Sequence, residues 1–218
     1  MGTGDTTTET ALWLTDPLDY LYLPTPSLSS GVSEKEKCPE SCFASVHNAG
    51  NELIAILNKR DSANLGAAMD MLSKTSAFAA KYLACALCDT GCTRLMTLAL
   101  FFQRQLNILC DIAMNPSLYI SENSVGVALG PYQASREDDV VFKRTMLLGV
   151  AKIIRAPVDE FRERVAGFDE RVAAGTLEVA EAGRLNLEWL VGISANLARR
   201  LESVETVLEE VDWGTAGV

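Results

Sequence analysis

A chain of 218 residues is long enough for one compact core, and its net charge of −10, from 29 acidic against 19 basic side chains, is the wrong sign for a phosphate backbone. Hydrophobic residues make up 48%, yet the longest uncharged stretch that could pass for a membrane span, residues 95–102, is far below the roughly 20 residues a bilayer requires. Direct nucleic-acid binding and membrane spanning are therefore excluded as expectations. Arg155, Arg162, Arg164, Arg171, Arg199 and Arg200 lie among Asp and Glu, the pattern of a solvated helix face.

Residues 1–37 read as an extended arm, rich in Thr and Ser and broken by Pro24, Pro26 and Gly31. The first ten residues lack the basic start and apolar run of an export signal, so an intracellular setting, nuclear or cytoplasmic, is expected. Within the arm, Leu12-Trp13-Leu14 and Tyr20-Leu21-Tyr22-Leu23 are apolar enough to dock on the chain's own core or on another protein.

From about Ser41 the spacing becomes helical. Phe43, Val46, Leu53, Ile54 and Leu57 suit one amphipathic helix, and a second is expected from about Ala63 through Met69, Leu72, Phe78 and Ala79 to Cys88. Thr90 and Gly91 mark a break. A third helix presents Leu95, Leu98, Phe102, Leu106, Leu109 and Ala113, and it should end before Asn115-Pro116. Residues 116–131 read as a long connection with a possible extended stretch at 125–129.

Ser135, followed by Glu137, Asp138 and Asp139, then gives a capped helix start, with carboxylates at the positive end of the dipole. That helix continues through Met146, Leu147, Val150, Ile153 and Ile154, with a kink or restart expected at Pro157. In the last helix Leu190, Ile193, Leu197, Leu201, Val204, Leu208 and Val211 form a stripe about six turns long. The stripe must be buried, either inside the domain or against a partner or second copy, and it is the candidate interaction seam. The fold class these patterns predict is all-α, a single-domain helical bundle over residues 38–218.

Chemistry is sparse in the sequence. The one histidine, His47, rules out sites that need two, and no phosphate-binding glycine loop occurs, so no cofactor is expected. Cys85, Cys88 and Cys92 would share one face of an unbroken helix; as metal ligands they would need a fourth thiol from Cys110, Cys38 or Cys42. The competing reading is six buried thiols that pack as small apolar residues in a reducing compartment.

The segments at 69–75 (MDMLSKT), 82–88 (YLACALC) and 105–109 (QLNIL), then Gly130-Pro131-Tyr132, the acidic Glu137-Asp138-Asp139, Met146-Leu147-Leu148 and the long amphipathic tail follow one another in a suggestive order. Together they resemble the C-terminal regulatory region of fungal transcription factors related to the aflatoxin pathway regulator, over residues 38–211. The resemblance implies a regulatory or assembly domain in the control of secondary-metabolite gene clusters, acting through a protein partner or self-association. The binuclear zinc cluster that reads DNA in that family has no counterpart in residues 1–37, which contain no cysteine. The alternative is a metabolite-binding protein or cyclase-type enzyme, whose apolar pocket would be lined by Phe78, Tyr82, Phe101, Phe102, Tyr119 and Tyr132.

Overall fold

In the computed structural model the described residues are 38, 41–57, 64–88, 91–119, 128–129 and 132–210. The arm at 1–37, the docking segments within it and Val211 lie outside them. The elements in chain order are α1 (Cys42–Leu57), α2 (Leu65–Ala84), α3 (Cys92–Met114), the short α4 (Pro116–Tyr119), β1 (Ala128–Leu129), β2 (Tyr132–Gln133), α5 (Arg136–Ala173) and α6 (Glu181–Glu210). The chain is an all-α bundle. The two strands pair antiparallel, Ala128 opposite Gln133 and Leu129 opposite Tyr132, so the extended stretch expected at 125–129 is present at its end. No helix among the described residues is long and apolar enough to cross a membrane.

The starts of α2 and α5 have a local cause. Asn64 accepts hydrogen bonds from the backbone N–H groups of Gly66 (2.8 Å) and Ala67 (3.3 Å), and Ser135 accepts one from Asp138 (3.1 Å). These satisfy donors that the first turn leaves orphaned. Of the kink or restart expected at Pro157, the restart does not occur, since α5 is one helix from Arg136 to Ala173. Proline removes the bond to the carbonyl of Ile153, but Ile153 is exposed, so water can satisfy that oxygen while the proline ring packs into the core.

The five long helices close into a ring. α1 packs on α2, α2 on α5, α5 on α6, α6 on α3 and α3 back on α1. Into its centre α6 turns Leu187, Leu190, Ser194, Leu197, Leu201, Val204 and Leu208, at alternating steps of three and four. The stripe read as a candidate interaction seam is thus consumed by the chain's own core. Leu190, Leu197, Leu201, Val204 and Leu208 are buried, and Ile193 is half-buried beside them. Ser194 takes the inward place that Ile193 was expected to hold, and its hydroxyl donates to the carbonyl of Val191 (3.0 Å).

Polar ties cross the ring at its junctions, and arginine supplies most of them. Arg104 donates to the Gly50 carbonyl (3.3 Å, α3 to α1), Arg200 to Asn107 Oδ1 (2.8 Å, α6 to α3), and Arg164 to the Leu83 carbonyl (2.6 Å, α5 to α2). Arg155 makes a two-pronged ion pair with Glu205, joining α5 to α6. Three arginines assigned to a solvated face, Arg155, Arg164 and Arg200, therefore bridge helices. Their partners lie 50 to 93 residues away, beyond any local pattern.

Leu201 is fully buried, so truncation should lower the unfolding free energy by about 2–5 kcal/mol without changing the mass of the native protein. Urea unfolding of Leu201→Ala, with native mass measured by light scattering, checks both halves; a change of mass with stability intact would mean that the stripe faces another molecule.

Candidate functional sites

The aromatic side chains expected to line one pocket are dispersed. Tyr82, Phe101 and Phe102 are core residues: Tyr82 packs on Phe43 (ring centroids 5.8 Å apart), and Phe102 on Phe101 and Phe161 (each 5.6 Å). Tyr119 is buried and donates its hydroxyl to Asp111 Oδ2 (2.7 Å), whereas Phe78 is exposed. The side chain of Tyr132 lies outside the description. Of the described members only Phe101 and Phe102 pack on each other; Tyr82 and Tyr119 are buried against other partners, and Phe78 faces outward.

A different apolar stripe faces outward. On α5, Phe142, Met146, Gly149, Ile153 and Ala156 are all exposed and follow one another at steps of four, three, four and three. Phe142 is 39%, Met146 53% and Ile153 48% exposed, high values for such side chains in one line. The core face of α5, with Leu147, Val150, Ile154 and Phe161, lies about a third of a turn away, so this helix is apolar on two sides. A Cβ added at Gly149 would meet nothing within 4 Å, so packing within the chain does not require glycine there.

The second feature is built from cysteine. The sequence alternative placed Cys85, Cys88 and Cys92 on one continuous helix; instead α2 ends at Ala84, and Cys85 adopts an extended backbone (φ −76°, ψ 115°). The N–H of Cys88 then donates to the Cys85 carbonyl (3.3 Å), which closes a turn. A second turn precedes α1: the Ser41 N–H donates to the Cys38 carbonyl (3.2 Å), and Ser41 has a left-handed backbone (φ 48°). For a residue other than glycine that conformation costs about 1 kcal/mol.

The two turns meet. The sulfurs of Cys38, Cys42, Cys85 and Cys88 all lie within 4.8 Å of one another, with Cys38 Sγ 3.6 Å from Cys42 Sγ and 3.7 Å from Cys85 Sγ. All four are free thiols, and Cys92 falls outside the group because it opens α3 after the break at Gly91. Cys110, the other candidate fourth ligand, is buried beside Arg200 (3.7 Å). Cys38, Cys42 and Cys85 also line a pocket of about 410 Å³ with Lys81, Ala84, Ala86 and Leu87.

Burial, and then the neighbouring Cys38 and Cys85, push the Cys42 thiol above its ordinary range. Cys88 is pushed up to about 12, by burial first and by Cys85 and Cys38 after it. Without a cation Cys42 and Cys88 are therefore favoured as thiols, since thiolates so close would repel. Lys81 places a positive charge at the pocket wall, and Cys42, the first residue of α1, sits at the positive end of a helix dipole. The guanidinium of Arg94, 5.1 Å from the centroid of the Phe43 ring, brings the first turn of α3 against that of α1.

Two signals for this cluster were in the sequence, the spacings Cys38-x-x-x-Cys42 and Cys85-x-x-Cys88. They were obscured by extending the second helix to Cys88, to which Ala86 and Leu87 are well suited. No protein-family model, curated protein or solved structure matches the chain.

Arg164 holds the end of α2 immediately before the Cys85–Cys88 turn, which separates it from a merely solvated arginine. Arg164→Ala should lower stability by about 1 kcal/mol, allowing for its partial exposure. Arg162→Ala, whose contact with Asp159 is long and exposed, should change it by less than about 0.5 kcal/mol. Chemical denaturation of the two variants side by side measures the contrast, and equal effects would contradict the assigned role of Arg164.

Proposed function

We propose that the chain is a regulatory interaction module that docks through the outward stripe of α5, in the control of secondary-metabolite genes that its resemblance to fungal regulators implies. The observation that carries the docking is the run Phe142, Met146, Gly149, Ile153 and Ala156, exposed at alternating steps of four and three. That repeat keeps a seam on one side of a helix and suits a second helix laid along it. A monomer gains nothing by presenting four turns of such a stripe to water.

Gly149 deepens the argument. Glycine inside a helix costs about 0.5–1 kcal/mol relative to alanine, and no neighbour among the described residues accounts for it. With Ala156 one heptad further on, it makes a low point where the backbone of a partner helix can approach closely. The occupant favoured is a second copy of the chain, because a stripe that runs along a helix can pair with itself about a two-fold axis.

Sedimentation equilibrium over a wide concentration range tests this reading. The intact chain should show a dimer; Met146→Glu with Ile153→Glu should be monomeric with unchanged helix content. Gly149→Ala should raise the stability of the monomer by about 0.5–1 kcal/mol while weakening the dimer. A chain that remains monomeric at the highest concentrations defeats the pairing, and a dimer indifferent to all three changes places the interface elsewhere.

A further inference from the structure

We propose that Cys38, Cys42, Cys85 and Cys88 form a structural zinc site that fastens the entry to α1 onto the exit from α2. Tetrahedral zinc with thiolate ligands has Zn–S bonds of about 2.3 Å, which sets neighbouring sulfurs about 3.8 Å apart. The contacts of 3.6 and 3.7 Å match that spacing, and the 4.8 Å limit on the whole set fits one ion. On binding, four Zn–S bonds form and the four thiol protons pass to solvent, with no change of oxidation state.

The local backbone points the same way. Ala86 and Leu87 favour a continuing helix, and no proline, glycine or asparagine stands within 82–88 to stop it. Burial does not explain the turn either, since Ala86 and Leu87 are both exposed. What the turn accomplishes is to set Cys85 and Cys88 facing Cys38 and Cys42. The other turn holds Ser41 in a left-handed backbone to the same end. Two cysteine pairs, each carried on a turn, form the usual construction of a closed four-ligand zinc site, and all-sulfur tetrahedral ligation selects zinc over harder ions.

The four ligands leave no open position, so the role is structural: the ion joins α1 to α2 beside the contact of Phe43 with Tyr82. The inference does not depend on docking at α5. Metal content reports on one and solution mass on the other, so either can fail alone.

The test uses the full chain, purified with reductant and without chelator from zinc-supplemented cells, with metal measured by plasma mass spectrometry. About one equivalent of zinc per chain is expected, and a lower melting temperature after chelation that zinc restores. Cys38→Ser and Cys85→Ser should each lower zinc affinity more than about 100-fold, beyond the usual cost of losing an outer-shell partner, whereas Cys92→Ser should retain the metal. Should the ligand variants fail to fold, cobalt(II) added to the chelated wild-type chain supplies a second readout, the intense visible absorption of a tetrahedral tetrathiolate. Less than about a tenth of an equivalent of zinc after reconstitution under reducing conditions, absence of the cobalt spectrum, or equal metal loss in Cys92→Ser would each overturn the proposal.

Discussion

The structure depends on the burial of the inner stripe of α6. Its seven inward positions meet α3 on one side and α5 on the other, two helices that would otherwise share few contacts. A helix carrying this many charges gains little from propensity in isolation, and ordering each residue costs about 1–2 kcal/mol of chain entropy. The offset comes from burying leucines completely, each worth roughly 1.5–3 kcal/mol. Without that stripe α3 and α5 face an open core, and the ring α1–α2–α5–α6–α3 is no longer closed.

Closing a ring also requires its junctions to be held in register, since apolar packing alone is weakly directional. Arg104, Arg155, Arg164 and Arg200 do this with planar donor groups aimed at carbonyls, an amide and a carboxylate across the helix boundaries. Between α2 and α3 the buried amide of Gln105 donates to the hydroxyls of Thr75 (2.8 Å) and Ser76 (3.0 Å). The chain carries a net charge of −10. Against that charge the apolar line on α5 stands apart.

Most elements were legible from periodicity and caps. The helices at 42–57 and 92–114, the Ser135 cap and the long last helix follow from apolar spacing and from side chains that compete for backbone donors. Long-range choices were not legible. Periodicity shows that Leu190 to Leu208 must be covered, but the covering surface depends on how the other helices are arranged. The arginines looked solvated because acidic residues surround them locally, and only the fold discloses Glu205, Asn107 and Leu83 as partners. Aromatic residues were grouped by type, whereas the core distributes them by volume.

The two candidate sites share a property that explains why the sequence revealed one only in part, as Cys85 and Cys88 with a thiol from Cys38 or Cys42, and the other not at all. At Cys85 a sequence suited to helix is turned out of helix, and at Gly149 a residue poorly suited to helix is kept within one. Neither departure improves packing among the described residues, since Leu87 is exposed and Gly149 has open space beside it. In sequences whose local and global preferences otherwise agree, such departures concentrate where something besides the fold is being served. At the first the beneficiary is the convergence of two cysteine pairs, 43 residues apart from Cys42 to Cys85, which becomes a site only once α1 lies on α2. At the second, on the pairing proposed for α5, it would be the approach of another backbone. Because the cysteine pairs meet only in the folded ring, the ion would bind the native state far more tightly than the unfolded chain, and its binding free energy would add directly to the closure on which the α6 core depends.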